Sequence, residues 1–248
     1  METEDVKVNV HTLVIAYVHP FKLGEKLARI DALIPVSFAR WEGLLSGLPA
    51  STERNGLADP RIRFSLHLKG PPAMEAAEMK KYLLEHRKYT TIGVSVAITV
   101  PLGQYNDERL LNLGLNQFVF RPQLGMLHNW GLWSFELTAS VFIFTKNNDF
   151  FNDSDKRQDP LFAAQAHLIK RFTSRHWISV STGYGLGGQS VVNRQSNNDV
   201  RSNFLGAASF GIPIGKKQSA KFTYIRQETL KDIGADTNSL ILGWSLAF

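Results

Sequence analysis

Large apolar residues alternate with small or polar ones along most of this chain, and this alternation constrains the fold more than any other feature. At the C-terminus, Leu240, Leu242, Trp244, Leu246 and Phe248 occupy every second position, with mostly small residues between them. A period of two is typical of a β-strand. The segment 240–248 also has about the length, roughly 9–11 residues, that a tilted strand needs to cross the hydrocarbon of a bilayer.

The same period recurs along the chain and predicts about eleven strands, which lie near 5–19, 26–41, 58–69, 90–102, 117–127, 131–145, 160–172, 176–187, 202–214, 219–228 and 238–248. Single-chain bacterial barrels have an even number of strands. We therefore expect a twelfth strand before residue 1. The first residues show no signal peptide, so we expect that segment to precede residue 1 as well. Residues 1–248 are then a single barrel domain.

The two faces of these strands differ in chemistry. A soluble sandwich would carry many charges on its outer face, whereas here the non-apolar face holds mainly Gly, Ser, Thr, Ala and a few Arg. Arg61 and Arg63 share that face, and an Arg that faces lipid at the midplane costs about 2–4 kcal/mol, so both should point inward. There is no apolar run of the roughly 18 residues that a membrane helix needs, and a chain with this pattern would cross a bilayer as a closed barrel. We predict an all-β, antiparallel up-and-down transmembrane barrel.

Connection lengths support one orientation, in which short turns lie at the inner end and long loops at the outer end. The predicted long connections are 42–57, 103–116, 146–159, 188–201 and 229–237; the short ones are 20–25, 128–130, 173–175 and 215–218. The inner connection 70–89 is the exception, since it is long and contains a predicted helix from Ala73 to Lys88. That helix is either a plain connector or a gate or plug, with Tyr82, Leu83 and Leu84 as the candidate gating residues.

Alternation also predicts which polar side chains line the pore: Arg29, Asp31, Arg61, Arg63, His67, Arg121, Gln123, Glu136, Gln165 and His167. One interpretation is a set of paired charges that fills a narrow barrel. The other is a polar constriction that selects solutes, favouring anions because arginine is in excess. The net charge of +6 fits either a solvated basic surface or such a lumen.

Two other classes of function stay open at this point. A lipid hydrolase would need a base such as His67 or His167 and a nucleophile such as Ser65, Ser179 or Ser181, but the chain lacks a Gly-x-Ser-x-Gly elbow. An adhesive barrel would use the polar loops 146–159 and 188–201. We predict neither a cofactor nor a metal, since the acidic loop with Asp149, Asp153 and Asp155 reads as a solvated turn more readily than as a weak calcium site. Nucleic-acid binding is not expected either, because the chain has no basic tract and no nucleic-acid motif.

Several short motifs are familiar: Gly-Leu-Ala-Asp-Pro-Arg at 56–61, Val-Pro-Leu-Gly-Gln-Tyr at 100–105, Asn-Gln-Phe-Val-Phe-Arg-Pro at 116–122, Phe-Thr-Lys-Asn-Asn-Asp-Phe-Phe at 144–151 and Gln-Asp-Pro at 158–160. On these motifs the chain resembles the outer-membrane family labelled "MetA-pathway of phenol degradation", and it departs at Ala58, where the family usually has Gly. The resemblance implies an outer-membrane barrel in contact with lipid and lipopolysaccharide that takes up small aromatic or hydrophobic solutes. It provides no catalytic residues. Phe248 resembles the terminal signal that the outer-membrane assembly machinery reads.

Overall fold

The structure is a computed structural model that describes residues 3–45, 47–231 and 234–247. The predicted assembly signal at Phe248 lies outside these residues. The elements, in chain order, are β1 (Thr3–Leu23), β2 (Lys26–Leu45), β3 (Leu48–Leu57), β4 (Arg61–Lys69), α1 (Ala76–Glu85), β5 (Lys88–Thr99), β6 (Val119–Trp130), β7 (Trp133–Phe144), β8 (Asn147–Phe150), β9 (Ser154–Gln158), β10 (Leu161–Arg171), β11 (Trp177–Gly187), β12 (Ser190–Val192), β13 (Gln195–Ser196), β14 (Arg201–Pro213), β15 (Gln218–Thr229) and β16 (Thr237–Leu246).

Within the described residues, the main sheet has twelve antiparallel strands and follows the order β1-β2-β4-β5-β6-β7-β10-β11-β14-β15-β16, with β3 pairing β2 beside β4. Each main strand pairs with the next one along the chain, which is the up-and-down arrangement that the sequence predicted. The sheet curls into an open barrel whose two ends, β1 and β16, do not pair with each other in the described ranges. Across the part of the chain that the structure covers, no helix has the length and apolar character needed to span a bilayer.

The convex face of the sheet is apolar and the concave face is small or polar, as the alternation predicted. Val180 and Leu242 on the convex face are 67% and 83% exposed. On the concave face, Ser179 lies opposite Ser209 in the register of β11 and β14, and both belong to a row of small residues. A sheet that presents its large apolar side chains outward has no second layer to cover them, so its environment must supply the apolar contacts.

The main strands are joined by two kinds of connection. Residues 24–25, 131–132, 172–176 and 214–217 are short turns at one end of the barrel, which we name the inner end. Gly24 and Gly131 adopt positive φ angles of 58° and 61° there, which tight hairpin turns require. The long connections 100–118, 145–160, 188–200 and 230–236 lie at the opposite, outer end. This confirms the predicted separation of short and long connections, with 70–87, which contains α1, as the expected exception. Which end faces the outside stays a prediction.

The prediction of a loop at 42–57 is wrong. β2 runs on to Leu45 and pairs with β3 from Val36↔Leu57 to Leu45↔Leu48, so this segment is a β-hairpin. β1 pairs with β2 over the same length, up to Thr3↔Leu45. Arg40 lies 2.7 Å from Glu42 on its own strand and 3.3 Å from Glu53, its partner across the hairpin. Cross-strand pairing of this kind stabilises strands that polarity alone would assign to a loop.

Two outer loops also form a small sheet of their own, with the order β13-β12-β9-β8. The buried Ser190 fixes the end of this sheet: its N–H and its hydroxyl donate to the two carboxylate oxygens of Asp199, each at 2.6 Å. Asn197 Nδ2 in turn donates to Ser190 Oγ at 2.8 Å. The long outer loops are therefore ordered structure.

The predicted helix is present as α1, which begins after a capping box formed by Glu75 and Glu78. This reciprocal arrangement satisfies backbone N–H groups at the helix start. The ring of Tyr82 stacks on His86, with the two ring centroids 4.1 Å apart. Tyr82 and Leu83 are half-buried, and the side chain of Leu84 lies outside the described part.

Candidate functional site: the lumenal cavity

The concave face of the barrel encloses a cavity of about 750 Å³ toward the inner end, which we name the lumenal cavity. All of the predicted pore-lining residues except Asp31 line it. Its polar and charged lining consists of Arg29, Arg61, Arg63, Ser65, His67, Thr91, Ser95, Arg121, Gln123, Glu136, Thr138, Gln165 and His167. Strand periodicity places these residues on one face. The curl of the sheet brings the six strands that carry them, β2, β4, β5, β6, β7 and β10, around one space.

Asp31 lies behind this lining and holds two of its arginines. Its side chain is only 3% exposed, and Arg63 on β4 approaches Oδ2 with Nε and Nη2, both at 2.6 Å. On the other side, Arg29 Nε lies 3.0 Å from Oδ1. One buried carboxylate thus balances one of the two positive charges and orients both guanidinium groups toward the cavity.

Arg61 and Arg121 differ from this pair because neither forms an ion pair within the described residues. Arg121 Nε donates to Ser140 Oγ at 3.2 Å, and its guanidinium carbon lies 4.4 Å from the centroid of the Phe142 ring. This cation–π contact holds the side chain in place without neutralising it. Four arginines thus face two carboxylates, Asp31 and Glu136, and the cavity wall carries a formal excess of two positive charges.

The remaining predicted residues make weaker or neutral contacts. Gln123 Oε1 accepts a hydrogen bond from Ser95 Oγ at 3.3 Å. His167 Nδ1 lies 2.7 Å from Ser181 Oγ, whereas His67 Nδ1 is buried and has no hydrogen-bond partner among the described residues. Glu136 and Gln165 line the cavity without a hydrogen bond or ion pair among the described residues. The site is thus a polar wall with one tight ion-pair centre.

The pair His167 and Ser181 is the base–nucleophile combination that a hydrolase would need. Glu136 on β7 lies directly opposite His167 in the strand register. No ion pair of 4.0 Å or less joins His167 to a carboxylate in the described ranges, so the orienting third group of a catalytic triad does not contact the imidazole. The geometry is that of a cross-strand hydrogen bond.

A second cavity of about 420 Å³ lies above the first, toward the outer end, and Gln165 lines both. Its wall is less polar and includes Phe142, Phe144 and Leu161 together with Arg201. The sequence analysis did not select these residues. They lie on the inward face of their strands, since Phe142 and Phe144 follow Glu136 at every second position of β7 and Leu161 precedes Gln165 in the same way on β10. Extending the alternation toward the outer end would therefore have predicted them.

The inner wall also contains Val18 and Pro20 from β1, which the sequence analysis missed. From Leu13 to Val18 both faces of β1 are apolar, so the periodicity there does not show which face turns inward. The gate candidates Tyr82 and Leu83 do not line the lumenal cavity, and a gating role for α1 stays a prediction.

The acidic loop offers no cluster for a metal, because no group of three or more candidate ligands forms within the described residues. Asp155 lies 2.5 Å from Lys146 Nζ, and the hydrogen bond from this ammonium group lowers the pKa of the carboxyl. Asp155 therefore forms a partly solvated ion pair with Lys146.

Taken together, the apolar convex face, the up-and-down topology and the charged concave face define an open antiparallel β-barrel with a polar lumen. A family model described as "Putative MetA-pathway of phenol degradation" matches residues 2–228. The chain belongs to this family.

Among solved structures, the chain is similar to the COG4313 outer membrane channel from Pseudomonas putida F1. The TM-score is 0.77 at 18% sequence identity, and the match covers 96% of this chain and 83% of that one. At this level of identity the similarity shows the fold. No curated protein matches the chain.

Proposed function

We propose that the chain forms a channel in the outer membrane that passes small solutes and prefers anions. The observation that carries the proposal is the placement of Arg61 and Arg121 in the lumenal cavity without carboxylate partners in the described residues. Uncompensated charge in a low-dielectric cavity attracts counter-ions and repels cations.

The membrane location is supported by the convex face. Exposed large apolar side chains occur on strand after strand, including Phe64 on β4, Leu124 on β6, Phe162 on β10 and Phe222 on β15. Exposing an apolar surface of this extent to water is unfavourable for a monomer, whereas lipid acyl chains and lipopolysaccharide would cover it. The family and the fold likeness to an outer membrane channel agree with this location.

The alternative in which paired charges simply fill the barrel accounts for only part of the lumen. Asp31 binds Arg29 and Arg63, and these three groups form a structural centre. The same carboxylate has no contact with Arg61 or Arg121 that would neutralise them. A channel function without catalysis is the simplest role for such a wall.

Reversal potentials in planar bilayers test the proposal. With a tenfold KCl gradient, we expect the wild-type protein to give a potential of the sign for chloride preference. The double variant Arg61→Gln/Arg121→Gln should shift it toward zero. Arg226→Gln is a matched control, because Arg226 forms ion pairs with Glu228 and Asp236 at 3.2 Å and 3.1 Å and does not line the lumenal cavity. A cation-selective wild type, or equal potentials in all three proteins, would contradict the proposal.

A further inference from the structure

A separate pocket of about 390 Å³ lies at the outer end, between the β2–β3 hairpin and two outer loops. We name it the outer pocket; its lining includes Trp41, Leu44, Thr52, Arg54, Leu111 and Phe151. Trp41, Thr52 and Arg54 share the strand face that turns inward lower down, since Trp41 lies opposite Thr52 and Ala39 lies opposite Arg54 in the register. Leu44 is on the other face and lines the edge of the pocket. Apolar side chains form most of its wall, and its volume lies in the range of about 300–1,000 Å³ that is usual for small-ligand sites.

The walls of the outer pocket are tied together by specific hydrogen bonds. Arg54 Nε donates to Leu111 O at 3.2 Å, which joins β3 to the loop 100–118. The N–H of Asn152 donates to Asp107 O at 3.1 Å, which joins that loop to the next one. Within the turn, Asn112 Nδ2 donates to Asn106 O at 2.9 Å. These bonds join all three walls of the outer pocket.

The polar part of the outer pocket is basic on one side. Arg54 Nη1 donates to Thr52 Oγ1 at 2.7 Å and to Glu53 O at 2.6 Å, which leaves Nη2 of this guanidinium without a protein acceptor among the described residues. Burial, and then the charge of the nearby Arg109, lower the pKa of Arg54. Two guanidinium groups that repel each other favour an anion between them.

Two carboxylates, Glu42 and Glu108, also line the outer pocket and oppose anion binding there. Glu42 is held by Arg40 at 2.7 Å on the hairpin. Glu108 is exposed on the turn that also carries Arg109, and it forms no ion pair within the described residues. An apolar wall with an aromatic floor, next to paired guanidinium groups, matches a ligand that is itself half apolar and half anionic.

We propose that the outer pocket binds small carboxylates with an apolar ring, the ring lying against Trp41 and Leu111 and the carboxylate between Arg54 and Arg109. It would serve as a capture site before the lumen. This inference deepens the proposed channel function, because it names a solute class for the same barrel. The site differs from the lumenal cavity, with which it shares no lining residue.

Equilibrium dialysis of radiolabelled benzoate against the full chain in detergent micelles tests this site. We expect Arg109→Gln and Arg54→Gln each to weaken benzoate binding about tenfold, as for loss of a charged hydrogen-bond partner. Ala50→Phe, which fills the pocket without changing its charge, should also abolish binding. Benzamide, a neutral probe of similar shape, should bind weakly and equally to wild type, Arg109→Gln and Arg54→Gln.

Two controls separate this inference from the channel proposal. Arg194→Gln changes an exposed loop arginine outside the pocket and should leave benzoate binding unchanged, as should Arg61→Gln/Arg121→Gln. Heat-modifiable migration on a gel verifies that each variant is folded, and Arg109→Gln and Ala50→Phe suffice if Arg54→Gln is not. Benzoate binding that is insensitive to these two variants, or that is lost only in the lumenal double variant, would overturn the outer site. Wild-type anion selectivity in bilayers would still stand in that case.

Discussion

The carboxylate of Asp31 on β2 accepts two contacts of 2.6 Å from the guanidinium of Arg63 on β4, its direct neighbour in the strand register. The pair lies within the segment of β2 that pairs with β4, a few residues before β3 becomes the partner of β2 at Val36. A single carboxylate at this position therefore stabilises the sheet and, at the same time, sets the charge of the lumen wall.

Asp31→Asn should destabilise the barrel and make the lumen more positive. A fully buried pair costs roughly 3–5 kcal/mol when one partner is removed. Because Arg29 and Arg63 keep 44% and 34% of their side chains exposed, we expect a smaller loss. Our expectation is about 2 kcal/mol in the free energy of unfolding, after discounting for solvent screening. Urea titrations in lipid vesicles measure it. Asp236→Asn, at a partly exposed pair, should change it little, and equal losses in both variants would contradict the assignment of Asp31.

Asp199 should make the order of the outer sheet depend on pH. Partial burial opposes ionisation of Asp199, but the hydrogen bonds from Ser190 outweigh it and lower the pKa of the carboxyl. Because the folded-state pKa lies below the unfolded value, the stabilisation is complete above the unfolded pKa and is lost as the pH falls through the folded pKa.

Hydrogen exchange of residues 188–200 measures this effect. We expect Asp199→Asn to reduce protection about five- to tenfold at neutral pH, as for loss of a charge-assisted hydrogen bond. The variant should also remove the acid dependence seen in the wild type. Asp153→Asn, in an exposed position of the neighbouring loop, is the control. Unchanged protection in Asp199→Asn would show that the Ser190 contacts do not order this sheet.

Gly103 is expected to tolerate no side chain. A Cβ atom there would lie 2.9 Å from backbone atoms of Ala58 and Asp59, which cannot move aside easily. The N–H of Gly103 also donates to Asp59 Oδ1 at 2.9 Å. We expect Gly103→Ala to cost about 1–3 kcal/mol of unfolding free energy through overpacking. Gly206→Ala, where a Cβ meets nothing within 4 Å, should cost far less. Comparable urea midpoints for the two variants would refute the close contact.

Ser181→Ala should leave the channel intact. The hydroxyl of Ser181 bonds only His167 Nδ1 among the described residues, at 2.7 Å, and the pair has no contacting carboxylate. We expect unchanged single-channel conductance and no difference in ester hydrolysis between wild type and variant. Hydrolysis of p-nitrophenyl butyrate by the wild type that disappears in Ser181→Ala would instead indicate a serine hydrolase.

Much of this fold follows from alternation alone, because a strand has two faces and a one-residue shift exchanges them. The positions of Ile62 and Arg61 already predict the convex and concave faces of β4. Alternation does not predict which charged side chains contact each other across neighbouring strands. That Arg63 contacts Asp31 while Arg61 contacts no carboxylate among the described residues depends on the register between β2 and β4. No hairpin turn joins these two strands, because β3 lies between them in the chain, so the sequence does not show their register.

The hairpin β2–β3 shows where polarity misleads. Glu53, Arg54 and Asn55 are residues that a loop would contain, and only pairing with β2 makes them a strand. The outer pocket could not be predicted either, because it too depends on contacts between segments that are distant in sequence. Its wall combines Trp41 and Leu111, which are far apart in sequence, through contacts between loops.

The length of β2 gives the barrel an uneven rim. Its 20 residues extend about 66 Å at roughly 3.3 Å per residue, about twice the roughly 9–11 residues that a tilted strand spends in hydrocarbon. In the proposed location, β1 and the β2–β3 hairpin extend well above the bilayer at one edge of the open sheet, while β16 at the other edge stays low. Solutes arriving from outside would then contact the inner surface of this extension first and approach the pore mouth from the side. A label attached near residue 47 would report on events far from the membrane plane.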